Sequence, residues 1–63
     1  MKDEELLQHY LKGYQLSMDD LRFPVWFESD AEKQACLLGY YDCDFGIFRE
    51  NDEIIDQIKK ILK

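Results

Sequence analysis

Leu6, Leu7, Tyr10, Leu11 and Tyr14 recur at spacings of one, three and four. That period lays one apolar stripe along a helix and predicts α-helix over residues 3–16. Asp3, Glu4 and Glu5 fall in its first turn, where carboxylates favour the positive end of the helix dipole. A second helix is predicted over 29–45, and it has the clearest start in the chain. Ser29-Asp30-Ala31-Glu32 forms a capping box: the serine hydroxyl takes the third backbone N–H and Glu32 reaches back. Gly46 can close that helix as a left-handed residue, with Ile47 folding back on it. A third helix is predicted over 52–62. Ile54, Ile55, Ile58, Ile61 and Leu62 form its stripe, Asn51 is its cap, and Lys59, Lys60 and Lys63 sit at its negative end.

The pattern breaks between the first two helices. Ser17 and Asp20 have the spacing to cap a short helical turn running to about Arg22. Then comes Phe23-Pro24-Val25-Trp26-Phe27. Pro24 fixes its own backbone angle and pushes Phe23 out of the helical region, so 23–27 should be extended. Pairing of 23–27 with 46–49 as short β-strands is the structural alternative. Two glycines interrupt the helical stripes in matching contexts: Leu11-Lys12-Gly13-Tyr14 and Leu37-Leu38-Gly39-Tyr40. A glycine inside a helix costs up to ~1 kcal/mol relative to alanine. Gly13 therefore either ends its helix or, with Gly39, marks a close crossing of the two.

The expected fold is all-α: three short helices with an extended aromatic segment between the first two, in a single domain over residues 1–63. A chain of 63 residues buries little surface, and chains of this size recruit a disulfide, a metal, a partner or a second copy. A homodimer is one remedy expected here. The net charge is −6, which repels a phosphate backbone and makes nucleic acid an unfavourable partner. At 46% hydrophobic and 14% aromatic residues, the chain is too apolar for a disordered acidic tail. No apolar run approaches ~18 residues, so no membrane span is expected. The acidic start, Met1-Lys2-Asp3-Glu4-Glu5, lacks the basic and apolar regions of a signal peptide. A cytoplasmic location with reduced cysteines is the expectation.

Few residues point to chemistry. Cys36 and Cys43 lie seven apart, roughly 10 Å along a helix, which is too far for a disulfide. Two cysteines and one histidine fall short of a zinc site without carboxylates. Both cysteines read as buried small residues, and His9 reads as a surface residue without a nucleophile beside it. Residues 42–53 put Asp42, Asp44, Glu50 and Glu53 at calcium-loop positions, but Ile47 stands where that loop needs glycine. No metal, cofactor or catalytic residue is expected. From Glu28 to Asp56 the acidic residues are nine (Glu28, Asp30, Glu32, Asp42, Asp44, Glu50, Asp52, Glu53, Asp56) against Lys33 and Arg49. They read as solubilising charge or as an acidic face for a basic partner. Trp is enriched among binding hot spots, so the 23–27 segment is expected to split, part inward and part toward a partner.

Gly13-Tyr14, Pro24 with its flanking aromatics, and Leu38-Gly39-Tyr40 together resemble the ribosome modulation factor family over residues 8–45. That resemblance implies two helices joined by a proline-containing aromatic linker, and association with the small ribosomal subunit. The family is basic, whereas this chain is acidic and carries a third helix. The acidic start and small size also resemble short accessory proteins of lambdoid phage early regions, which would imply a regulator of host or phage physiology. The leading expectation is a non-enzymatic cytoplasmic regulator acting by protein contact. Its contact residues would be Phe23, Val25, Trp26 and Phe27, with Glu28 and Asp30 at the rim. The alternatives are a ribosome-associated factor and an acidic DNA mimic that occupies a nucleic-acid-binding enzyme.

Overall fold

Three α-helices follow one another along the chain: α1 (Asp3–Met18), α2 (Asp30–Phe45) and α3 (Asn51–Ile61). The computed structural model describes residues 2–62, and among these there is no β-strand. The architecture is the all-α one that the apolar periodicity predicts. Segment 23–27 does not pair with 46–49, because Phe23 instead packs its ring on Tyr40 of α2.

The fold is organised around the crossing of α1 and α2. A methyl built on Gly13 would overlap the Cys36 carbonyl oxygen and fall 2.7 Å from its carbonyl carbon. A methyl on Gly39 would overlap the Tyr10 carbonyl oxygen and fall 2.8 Å from its carbon. Each glycine therefore receives the backbone of the residue three positions before the other glycine. The helices run antiparallel, since Gly13 faces Cys36 while Tyr10, further back on α1, faces Gly39, further on in α2. Gly13 does not end α1. It lies within the helix, and the matching Leu-x-Gly-Tyr sequences are the two halves of one contact.

Both helices stop in the same way. In α2 the amide of Ile47 donates to the Asp42 carbonyl at 2.8 Å, and that of Gly46 to Cys43 at 3.2 Å, with Gly46 at φ 72°. In α1 the amide of Leu21 donates to Leu16 at 2.9 Å, and that of Asp20 to Ser17 at 3.1 Å. This is the six-to-one closure of a helix end, with Asp20 at φ 59° in the glycine position. The short helical turn expected at Ser17–Arg22 is absent, because the left-handed Asp20 turns the chain away. Asp20→Gly should stabilise the protein by about 0.5 kcal/mol, since only glycine adopts that angle without a Cβ penalty. Urea denaturation reads this directly, and a loss of stability would mean that the Asp20 side chain itself holds the turn.

At the start of α2, Ser29 Oγ accepts the Glu32 amide at 3.2 Å, as the capping box requires. Glu32 reaches one residue further back than expected, to the amide of Glu28 at 3.3 Å. In α3 the cap position is Glu50, whose side chain makes no capping bond, and Asn51 is the first helical residue rather than the cap.

The core is small. Leu6 and Tyr10 of α1, Ala35 of α2, and Ile54 and Ile58 of α3 form its buried cluster, with Leu7, Tyr14, Ala31 and Leu38 against it. The stripes run wider than the core: Leu11, Ile61 and Leu62 are exposed. Helix α3 lies antiparallel to α1. Lys59 pairs with Asp3 at 3.3 Å at one end, and Asn51 and Ile54 border a cleft with Leu11 and Tyr14 at the other. The radius of gyration is 10.5 Å, about the value expected for a closed domain of this length, so α3 is folded back onto the pair.

Candidate functional site

The close crossing has a consequence for the aromatic residues. Gly13, Ala35, Cys36 and Gly39 bring the two backbones together, which leaves no space between them for large rings. The rings are displaced to the outside of α2. Phe27 packs on Phe23 with centroids 5.4 Å apart, and Phe23 meets Tyr40 edge-to-face at 5.3 Å. Tyr40 meets Tyr41 at 6.3 Å, and Tyr41 stacks on Phe45 at 6.3 Å. Five rings thus run without a gap from the linker along α2, at separations typical of favourable aromatic pairs.

This strip anchors the linker as well as decorating it. The Tyr40 hydroxyl donates to the Leu21 carbonyl at 2.8 Å, tying the start of the segment to the middle of α2. Phe23 and Phe27 are half-buried, while Val25 is fully exposed and Trp26 is 72% exposed. Two rings therefore hold the segment down and two apolar side chains stand in water. Glu28 and Asp30 are exposed beside them. Farther along the strip, Tyr41 and Phe45 are exposed too. Tyr41 and Phe45 are not among the contact residues expected from the sequence. The available signal was the four-residue spacing of Tyr41 and Phe45, which places both on one helix face.

Asp42 is a correction to the acidic face read from composition. It is 2% exposed and turned inward. Its Oδ2 accepts from the Tyr10 hydroxyl at 2.7 Å and from Arg49 Nε at 2.8 Å. Burial first, then the bond to Asp42, pushes the Tyr10 phenol well above its ordinary range. The bond to Asp42 likewise pushes the Arg49 guanidinium further up. The triad joins α1, α2 and the α2–α3 connection, so it is a strut between elements. No local signal announces it, because neither the separation of thirty-two positions between Tyr10 and Asp42 nor that of seven between Asp42 and Arg49 follows a local helix rule.

The cysteines differ from one another. Cys36 is fully buried, and burial pushes its thiol up, away from nucleophilic use. Cys43 is only half-buried, against the expectation that both are core residues, because it lies beside the core face near the end of α2. Among the described residues no group of three or more His, Cys, Asp or Glu side chains is placed to hold a metal ion. Every buried side-chain nitrogen or oxygen among them has a hydrogen-bond partner. No described helix is long and apolar enough to cross a membrane. Comparison with protein-family models, with curated proteins and with solved structures finds no match for this chain.

Proposed function

We propose that this chain is a protein-binding module, a non-enzymatic regulator that works by contact through the aromatic strip. The observation that carries this reading is the exposure of Val25 and Trp26 on a segment fastened by Phe23, Phe27 and the Tyr40–Leu21 hydrogen bond. Large side chains held in place before binding lose little entropy on docking, so more of their burial appears as affinity. Trp and Tyr are the residues that most often dominate such contacts. Phe23 and Phe27 support the surface, Val25 and Trp26 form its tip, and Tyr41 and Phe45 extend it. Glu28 and Asp30 give it an acidic edge, which favours partners with a basic rim and speeds their encounter.

Trp26→Ala tests the reading. Affinity purification from the native host should recover a partner with the parent chain and lose most of it with the variant. Helical circular dichroism should stay unchanged, because the indole is mostly in water. A drop in helicity would move Trp26 into the core, and equal recovery by both chains would leave the strip without a role. Sedimentation equilibrium separates one occupant from the rest: a dimer that Trp26→Ala weakens would identify the partner as a second copy of this chain.

A further inference from the structure

Helix α3 is held less firmly than the pair it covers. Helices α1 and α2 meet backbone to backbone at Gly13 and Gly39, and Ala35 and Cys36 are fully buried on α2. Helix α3 buries only Ile54 and Ile58. Its far end is tied by Lys59 to Asp3, but both side chains are more than half exposed, so that ion pair contributes little. Its near end is tied by Arg49, which reaches back to Asp42. Elements with few buried contacts open without unfolding the rest.

The connection that precedes α3 can straighten. Residues 46–50 join α2 to α3, and five residues reach at most about 17 Å when extended. A methyl on Gly46 meets nothing within 4 Å, and glycine leaves its left-handed angle for an extended one at no steric cost. Among the described residues the amides of Phe48, Arg49 and Glu50 make no backbone hydrogen bond, so the only backbone bonds to give up are the two that close α2. Three apolar side chains surround this turn without cover: Phe45 is 72% exposed, Phe48 is 89% exposed, and Ile47 is exposed between them.

We infer that α3 is exchanged between two copies of this chain, each α3 seating on the α1–α2 pair of the other. The occupant of the groove is known, because an α3 of identical sequence already fills it. Ile54 and Ile58 meet Leu6, Tyr10 and Ala35 of the other copy, Lys59 meets its Asp3, and Arg49 meets its Asp42, so each contact of the closed chain is remade. Short connections favour such exchange, and it closes on itself as a two-fold dimer. The straightened connections run side by side, and Phe45, Ile47 and Phe48 of one copy cover those of the other. A domain of this size gains much from a second copy. The assembly needs neither Val25 nor Trp26, so it stands independently of the contact reading of the strip.

Isotope-labelled and unlabelled full-length chains, unfolded together in urea and refolded at millimolar concentration, supply the test. Gel filtration should separate a dimer that returns to monomer only slowly on dilution, at unchanged circular dichroism. Isotope-filtered NMR of that dimer should show contacts between the Ile54 and Ile58 methyls of one chain and Leu6 and Tyr10 of the other. Four glycine and serine residues inserted between Ile47 and Phe48 should weaken the dimer at least tenfold, because the longer connection lets α3 return to its own chain. Deleting Ile47 and Phe48 should leave only dimer, and the insertion gives the same reading should the deletion fail to fold. A chain that remains monomeric after refolding, or a dimer whose contacts between chains omit Ile54 and Ile58, would overturn the inference. Trp26→Ala should leave the dimer fraction unchanged. A dimer lost on that substitution would belong to the strip and would overturn the exchange of α3.

Discussion

Gly39→Ala should unfold most of the protein at room temperature, at a cost of at least about 3 kcal/mol, with Gly13→Ala close behind. The arithmetic opposes a bias toward alanine. In an exposed helix the change gains up to ~1 kcal/mol of propensity. Here the added methyl overlaps the Tyr10 carbonyl oxygen and stands 3.0 Å from the Tyr14 amide nitrogen. Those are backbone atoms of the opposite helix, and no rotamer change moves them aside. The helices must separate, and close-packed interiors lose contact energy steeply with small gaps. Overpacking alone typically costs ~1–3 kcal/mol, and more where backbone must shift. A core of this size rarely provides more than ~3–5 kcal/mol, so one such change consumes most of it. Gly46 supplies the internal control. A methyl there meets nothing within 4 Å, and only its left-handed angle opposes a side chain, so Gly46→Ala should cost about 1 kcal/mol. Urea denaturation of the three variants should rank them accordingly. A Gly39→Ala protein with a midpoint near that of the parent would mean that the crossing is not the organising contact.

Arg49→Ala should destabilise by about 2–4 kcal/mol. Removing one partner of a buried ion pair strands the other. Asp42 would keep only the Tyr10 hydroxyl, at 2% exposure, in a place where water reaches it poorly. The estimate sits below the full cost for a sealed pair because the Arg49 side chain is itself 27% exposed, which admits some water to its vacated place. Asp42→Asn should be milder, since the amide oxygen still accepts from Tyr10 and the charge left unpaired, Arg49, is partly exposed to water. Because Arg49 stands at the approach to α3, hydrogen exchange in Arg49→Ala should quicken in α3 before it does in α1 and α2. A shift below about 0.5 kcal/mol, or exchange that rises uniformly, would reduce the triad to a surface ion pair.

The helices were legible because their signals are local. The Leu6–Tyr10 spacing, the Ser29 cap with Glu32, and the Ile54–Ile58 stripe each act within a turn or two, and each reappears in the structure. The expectation of a helical turn after Ser17 failed for a local reason too: the left-handed angle that glycine usually supplies is taken by an aspartate, so the stop signal was not recognisable. Asn51 misled because a good capping residue one position inside the start of a helix looks the same in sequence as one at the cap. Of the candidate surface, the segment 23–27 could be singled out from Pro24 and the ring density around it, but not which of its side chains stand in water.

The sequence alone determined three helices, an aromatic segment outside them and two glycines in equivalent settings, since those follow from periodicity, backbone preferences and the absence of a side chain. Only the tertiary structure decided which acid is interior and where the rings end up. Asp42 became a core residue because Tyr10 and Arg49 arrive from separate elements to satisfy it. Tyr41 and Phe45 became surface because two backbones meeting at Gly13 and Gly39 leave no volume for them between the helices. Both outcomes depend on distances between segments remote in sequence, and such distances exist only once the helices have packed.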